Sequence, residues 1–236
     1  ICNTYPIVNN LNTILQSDLL YFFIFLRSYA LTVMKKSNKN YNLQELTTYW
    51  DEYYSKKKKQ LPNSNFSEFV LDHIQKDQTL IDIGCGDGRD TVFFGKNKIK
   101  TTGVDISKMV VAQNKSLEHD YLKFSMLNIE NINDYKYKYD YAYCRFLFHA
   151  VDEKIEEKLF IWLKNNIKES IFIETRIRDE EKSSIEENHY RRYFSEENFI
   201  YKIQKNGFNI KYSESSRSFS KYKDIYNVND LKDDPL

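Results

Sequence analysis

The chain has 236 residues and carries 35 Lys and Arg against 34 Asp and Glu, which gives a formal net charge of +1. This length favours one domain with at most a small extension, and the near-neutral charge provides no overall field that would draw the chain onto nucleic acid or an anionic membrane. Aromatic residues make up 16% of the chain, which excludes a disordered protein, and three cysteines exclude a disulfide scaffold. We expect reduced thiols and a cytoplasmic protein.

The first patterned segment is apolar and aromatic and runs from Leu19 to Val33, interrupted by Arg27. It is shorter than the roughly 20 apolar residues of a membrane-spanning helix, so we predict no membrane span. No basic stretch precedes it, as one would in a secretory signal. Three interpretations stay open: an amphipathic helix, a weak membrane anchor, or sequence upstream of a start at Met34. Residues 1–33 are therefore treated as an extension that need not belong to the domain.

Residues 34–78 carry two predicted helices. Aromatic and apolar residues, including Trp50 and Tyr54, recur at helical spacing in the first helix. The chain is then broken by Pro62, and Ser64 is a suitable N-terminal cap for the second helix.

From residue 79 onwards, short apolar runs typical of buried strands alternate with amphipathic helical stretches. Strands that alternate with helices predict an α/β, Rossmann-like domain over residues 79–236, with a mostly parallel sheet and helices on both faces. The strands are predicted at residues 79–84, 100–106, 121–129, 139–146, 170–177 and 208–216, and the intervening helices at 89–97, 107–118, 151–167 and 195–206.

The most informative segment joins the first of these strands to the following helix. Gly84, Gly86 and Gly88 alternate there, and glycines in such a turn permit positive φ and let a ligand lie against bare backbone. Asp105 ends the next strand about 20 residues further on, where an acidic side chain accepts hydrogen bonds from ribose hydroxyls. Together the two signals predict a nucleoside ligand. The alternatives are that the glycines serve only a tight turn and that Asp105 only caps a helix.

The glycines depart from the dinucleotide fingerprint, because Arg89 stands where that motif has its third glycine. With Asp82 inside the strand, they follow the pattern D-x-G-x-G-x-G, and an acid at that place suits a ligand with an ammonium group. Over about residues 42–216, the chain resembles the class I S-adenosylmethionine-dependent methyltransferases. The resemblance rests mainly on the glycine motif and Asp105.

The resemblance implies a set of cofactor contacts. The methionine part of S-adenosylmethionine would lie on the glycines, with its amino group held by Asp82. Asp105 would bind the ribose, and the adenine would meet residues at the ends of the second and third strands. The implied cofactor residues are Asp82, Gly84, Cys85, Gly86, Asp105, Ile106, Asn128, Ile129 and Tyr54, the last from the aromatic helix that covers the cofactor in many members. Cys85 has no neighbouring base in the sequence, so we interpret it as a small spacer rather than a nucleophile. The His and Cys residues show no spacing typical of metal ligands.

Two further stretches carry side chains suited to a methyl acceptor. In this fold the end of the fourth strand faces the transferred methyl group, which places Arg145 and His149 there. The insertion after the fifth strand contains His189, Arg191 and Arg192, which suit a planar anion bound by bidentate contacts. We predict that the three arginines bind substrate and that the two histidines are candidate bases for a hydroxyl acceptor. Alternatively, His149 bonds to backbone and the insertion is a solvated loop.

The implied reaction is methyl transfer to a small, anionic acceptor, either phosphorylated or a sugar nucleotide. The stretches GCGDGRD, RFLFHAV and HYRRYF are similar to those of small bacterial methyltransferases encoded with surface-polysaccharide genes, including those linked to methyl phosphoramidate decoration. Two rival functions stay open: a nicotinamide-dependent oxidoreductase, which Arg89 disfavours, and a catalytically silent binding partner with the same fold. The fourth strand lacks the acidic or N-P-P-Y-like motif of base methyltransferases, so we predict no nucleic-acid partner.

The resemblance also implies two antiparallel edge strands at the end of the domain, the last of which inserts between the fifth and the sixth. Residues 208–216 supply the sixth strand, whereas the apolar residues of 218–234 are too scattered for a buried strand. We therefore expect the final strand to be missing, which would leave unpaired backbone groups on both sides of a vacant position.

Overall fold

The computed structural model describes residues 21–28, 43–56, 61–177, 182–186 and 189–216. The strands are β1 (Tyr21–Ser28), β2 (Thr79–Ile83), β3 (Lys100–Asp105), β4 (Leu122–Met126), β5 (Tyr139–Arg145), β6 (Ile167–Ile177), β7 (Lys182–Glu186), β8 (His189–Tyr193) and β9 (Asn209–Ser216). The helices are α1 (Leu43–Lys56), α2 (Asn65–Leu71), α3 (Arg89–Lys96), α4 (Lys108–Asn114), α5 (Glu153–Asn166) and α6 (Glu196–Lys205).

Seven strands form one sheet in the order β4-β3-β2-β5-β6-β1-β9, and every neighbouring pair is parallel. β7 and β8 form a separate antiparallel pair between β6 and α6. The predicted fold class is therefore confirmed. β7 and β8 were missed, because the sequence indicates only a charged insertion there.

Helices cover both faces of the sheet, because successive strand residues point to opposite sides. Leu80 of β2 packs in a buried cluster with side chains of α2 and α3, and its neighbour Ile81 packs in a second cluster with side chains of α5 and α6. The same alternation relates Tyr143 to Cys144 in β5. Each face of the central strands thus contributes to a hydrophobic core of its own.

Short polar side chains begin the helices at the predicted places. The side chains of Ser64, Ser107 and Ser195 accept hydrogen bonds from backbone N–H groups in the first turns of α2, α4 and α6. The cap of α5 is Asp152, which moves the start of this helix two residues beyond the predicted one. Each such cap contributes about 1 kcal/mol of stability.

The edge of the sheet beyond β6 differs from the expectation. β1 lies between β6 and β9, with Phe23 aligned with Phe172 on one side and with Tyr212 on the other. Residues 21–28 fill the position expected to be vacant, so that part of the prediction is wrong. The antiparallel direction expected of the edge strands is wrong too, because β1 and β9 both run parallel to their neighbours. A short run rich in aromatic and β-branched residues suits such a central position, and pairing there satisfies backbone groups on both neighbouring strands.

Among the helices in the described ranges, none combines the length and the apolar character needed to cross a membrane.

Candidate active site

A cavity of about 180 Å³ lies at the carboxyl ends of the central strands. Its walls come from the glycine loop between β2 and α3, from the segments that follow β3, β4 and β5, from α1, and from β8. Most of the residues predicted from the sequence line this one cavity: Asp82, Gly84, Cys85, Gly86, Asp105, Ile106, Asn128, Ile129, Tyr54, Arg145, His149 and Arg191. Arg192 is not among the lining residues, and the side chain of His189 lies outside the described residues.

The glycine loop has the backbone conformation that its residue type permits. Gly84, Gly86 and Gly88 have φ values of 77°, 53° and 74°, in the left-handed region that other residues rarely adopt. A Cβ atom on Gly86 would lie 2.3 Å from the hydroxyl oxygen of Tyr54. The loop therefore combines a conformational need for glycine with a close approach of α1, and it leaves bare backbone facing the cavity.

Asp105 is fixed by backbone donors beside this loop. One carboxylate oxygen accepts a hydrogen bond from the backbone N–H of Gly86 and the other from that of Ser107, each at 2.9 Å, and only 8% of the residue is exposed. A carboxylate offers about four lone-pair sites, so acceptor capacity remains for a ligand. This arrangement fits a pair of ribose hydroxyls.

Asp82 is buried inside β2 and accepts a hydrogen bond from the Thr91 hydroxyl at 2.6 Å. Burial raises the pKa of Asp82 to about 8, with smaller raising effects from Asp90 and Asp105 and opposing effects from the Thr91 hydrogen bond and the Arg145 charge. A cation placed beside it would favour the carboxylate form. The site therefore fits the ammonium group that the sequence assigned to it.

The segment after β4 forms a further part of the cavity wall. Asn128 caps the short 3-10 helix Ile129–Asp134, and its side-chain oxygen accepts a hydrogen bond from the backbone N–H of Glu130 at 3.0 Å. A second lone pair on that oxygen remains for a ligand.

Helix α1 closes one side of the cavity with aromatic side chains. Trp50 and Tyr54 stack with ring centroids 6.0 Å apart, and both line the cavity. On the same helix, a carboxylate oxygen of Asp51 accepts a hydrogen bond from the Ser107 hydroxyl at 2.5 Å. Because Ser107 also donates its N–H to Asp105, α1 is tied directly to the ribose side of the site.

Arg145 lies at the end of β5 and is held by acidic groups. Its Nε atom is 2.6 Å from a carboxylate oxygen of Glu174 in β6 and 3.9 Å from one of Asp90 in α3. Asp90 also accepts hydrogen bonds from Ser64 and from the hydroxyl of Tyr143. Burial raises the pKa of Asp90, but the nearby guanidinium groups and hydrogen-bond donors outweigh it, so the pKa lies below its usual value.

His149 follows β5 in a short 3-10 helix, is buried, and lines the cavity. Its Nδ1 atom lies 3.4 Å from the hydroxyl oxygen of Thr175 in β6. His149 therefore lines the same cavity as Arg145. Its role as a base stays a prediction.

Arg191 and Arg192 have different surroundings, because adjacent residues of a strand point to opposite sides. Arg191 is 2% exposed and lines the cavity. Arg192 pairs with Glu156 of α5, which also receives Lys202 of α6 at 3.2 Å. The structure does not bring Arg192 into the cavity, which argues against the prediction that it binds substrate: its charge is engaged in a buried ion-pair cluster.

Phe146 is a cavity residue that the sequence analysis missed. It has φ of 58°, in the left-handed region, and its N–H donates to the backbone oxygen of Glu174 at 2.7 Å. The guanidinium groups of Arg145 and Arg176 lie 4.2 and 5.2 Å from its ring centroid. Strained backbone of this kind persists where the surrounding structure enforces it and often marks functional sites. No feature of its residue type signals the conformation.

Comparison with known protein families identifies the class. A family model described as a methyltransferase domain matches residues 51–211, which is more than half of the chain. The chain therefore belongs to the methyltransferase domain family. This confirms the predicted class of S-adenosylmethionine-dependent methyltransferases. No curated protein gives a significant match to the sequence.

Solved structures show the same fold at low sequence identity. The structure of Burkholderia thailandensis 1,6-didemethyltoxoflavin-N1-methyltransferase, with bound 1,6-didemethyltoxoflavin and S-adenosylhomocysteine, is 15% identical, with a TM-score of 0.58 over 69% of this chain and 76% of that one. The DhpI–SAH complex is 12% identical, with a TM-score of 0.50 over 70% of this chain and 86% of that one.

Proposed function

We propose that this chain binds S-adenosylmethionine along the glycine loop and transfers its methyl group to a small anionic acceptor at the other end of the same cavity. The observation that carries the proposal is the shared cavity, which joins Gly84, Gly86 and Asp105 to Arg145 and Arg191. Family membership supports the reaction class, and the placement of the charged side chains supports the class of acceptor.

The residues of the glycine loop fit the cofactor in shape and in charge. Bare backbone at Gly84 and Gly86 accommodates a close ligand, Asp105 has acceptor capacity for the ribose, and Asp82 suits an ammonium group. When bound, the cofactor supplies a methyl group on a sulfonium centre. The work left to the protein is to orient the acceptor and to exclude water, which the aromatic residues of α1 favour.

The acceptor end supplies positive charge within hydrophobic surroundings. Arg191 reaches the cavity from β8, and Glu174 fixes the orientation of Arg145. Phe146 and Leu147 add apolar surface beside them. A phosphate oxygen or carboxylate is already anionic and needs no base, only cationic positioning.

A hydroxyl acceptor would instead require proton removal. His149 is then the candidate base, because it lines the same cavity as Arg145. His189 stays a second candidate from the sequence. Phosphorylated metabolites and sugar nucleotides are the proposed acceptor classes, and a role in surface-polysaccharide modification rests on the motif resemblance alone.

The test is methyl transfer from radiolabelled S-adenosylmethionine to a panel of phosphorylated metabolites and sugar nucleotides, with neutral analogues as comparison compounds. We expect label on an anionic member of the panel and a loss of at least about tenfold in kcat/KM in Arg191→Met, since a charge-assisted contact is removed. The matched control is Arg192→Lys, which preserves a cation beside Glu156 and should leave kcat/KM within about twofold. Transfer only to neutral compounds, or full activity in Arg191→Met, would contradict the proposal.

A further inference from the structure

Arg89 is the first residue of α3 and follows Gly88 directly. Its side chain lines the cavity beside the glycine loop. The Nη1 atom of this guanidinium is buried and has no hydrogen-bond partner among the described residues. Buried polar groups without partners are rare in native proteins and each calls for an explanation. A ligand group that accepts hydrogen bonds would provide one.

Arg89 differs from the other two arginines that line the cavity. Arg145 is paired with Glu174 at 2.6 Å at the end of β5, and Arg191 reaches the cavity from β8. Arg89 belongs to the segment that contains the glycines. It is therefore the arginine that the glycine loop itself brings to the cavity, whereas Arg145 and Arg191 are the two proposed above for the acceptor.

The charges around Arg89 show why an anionic ligand group needs it. Asp82, Asp90 and Asp105 all line the cavity, and the last two lie close enough to Asp82 to raise its pKa, so a ligand carboxylate placed among them would meet unfavourable negative charge. Arg89 is close enough to contribute to the low pKa of Asp90, after the larger effect of Arg145. The positive end of the α3 dipole acts in the same direction.

We propose that Arg89 binds the carboxylate of the methionine part of S-adenosylmethionine. The inference rests on the proposed function, since it requires that cofactor on the glycine loop. Arg89 and Asp82 together then recognise the two charges of the amino-acid end, carboxylate and ammonium, and Asp105 recognises the ribose independently. Arg89, which stands where the dinucleotide fingerprint has its third glycine, would thereby contribute to the selection of the cofactor.

Two cofactor forms that differ only in the carboxylate test this directly. Calorimetry with S-adenosylmethionine and decarboxylated S-adenosylmethionine gives a dissociation constant for each ligand. We expect the wild-type chain to prefer the carboxylated form by about 10- to 100-fold, as for a charge-assisted hydrogen-bonded contact. In Arg89→Met that preference should disappear, because affinity for the carboxylated form falls while affinity for the decarboxylated form stays within about twofold. Arg89→Lys should retain part of it, since ammonium is a point charge without the planar fork.

Two controls separate this role from general damage. Lys96→Met removes an exposed cation from the last turn of the same helix and should leave both affinities unchanged. Asp105→Ala should weaken both ligands by similar factors, because both carry the ribose. Equal losses for both ligands in Arg89→Met, or no loss for either, would overturn the assignment of Arg89. Failure of the wild-type chain to bind either ligand would instead overturn the proposed function, and the inference with it.

Discussion

The two ends proposed for the cavity, one for the cofactor and one for the acceptor, are built in different ways. At the cofactor end, Gly84, Gly86 and Asp105 come from two adjacent strand ends, and the Asp105 carboxylate is held by backbone N–H groups. At the acceptor end, Arg145 and Arg191 come from separate elements, and Arg145 is paired with an acid of a third strand. Local sequence therefore specifies the first site almost completely. The second depends on which side each strand presents to the cavity.

Arg191 and Arg192 show how the side of a strand on which a residue lies decides its surroundings. They have the same side chain and nearly the same degree of burial, yet only Arg191 lines the cavity. Arg192 joins Glu156 and Lys202 in an ion-pair cluster that links β8 to α5 and α6. Of the two, only Arg191 therefore belongs to the proposed acceptor site.

The largest expected effect concerns the stability that Arg192 contributes. Arg192→Met leaves the buried Glu156 carboxylate with Lys202 alone. Loss of one partner from a buried ion pair costs about 3–5 kcal/mol, and the remaining Lys202 should reduce this to roughly 2–3 kcal/mol. Urea denaturation should show that loss for Arg192→Met and a much smaller one for Arg192→Lys, which keeps a cation beside Glu156. Equal losses for the two variants would show that the charge of Arg192 does not stabilise the fold.

A second prediction concerns the titration of the cofactor end. Asp82 has a pKa of about 8 because it is buried, so it is mostly protonated at pH 7 in the ligand-free chain. An ammonium group bound beside it lowers that pKa, and binding then releases a proton. Affinity for S-adenosylhomocysteine should therefore rise by up to about tenfold from pH 6 to pH 7 and level off near pH 8.

Asp82→Asn provides the comparison for this pH dependence, because the amide keeps the shape of the side chain but does not titrate. Calorimetry in two buffers with different ionisation enthalpies measures the proton released. A wild-type chain that shows the same pH slope as Asp82→Asn would mean that Asp82 does not face the ammonium group.

The smallest expected effect tests the strained residue at the acceptor end. Phe146 has φ of 58°, which costs a residue with a Cβ atom about 1–2 kcal/mol and costs glycine little. Phe146→Gly and Phe146→Ala both remove the ring, so their difference isolates the backbone strain. Thermal or urea denaturation should find the glycine variant more stable by about 1 kcal/mol. An alanine variant at least as stable would show that the backbone relaxes at this position.

The sequence predicts the residues proposed for the cofactor better than those proposed for the acceptor. The three glycines and Asp105 specify their conformation and their ligand by residue type and spacing, and the alternation of strands and helices predicts the fold. β1 was missed, because a run of aromatic residues such as that around Phe23 does not show which strands it pairs with, and here its partners β6 and β9 lie far along the chain. The side of β8 on which the Arg192 side chain lies and the φ of Phe146 both depend on tertiary packing. The neighbouring sequence indicates neither of them.

Binding of S-adenosylmethionine by the glycine loop and Asp105 is tested most directly by calorimetry with S-adenosylhomocysteine on the wild-type chain and on Asp105→Ala. Thermal melts show whether both chains are folded. We expect binding by the wild-type chain and a loss of roughly 1–3 kcal/mol in the variant, because hydrogen bonds from the ribose to a charged acceptor are removed. Unchanged affinity in Asp105→Ala, or tighter binding of NAD than of S-adenosylhomocysteine by the wild-type chain, would contradict it.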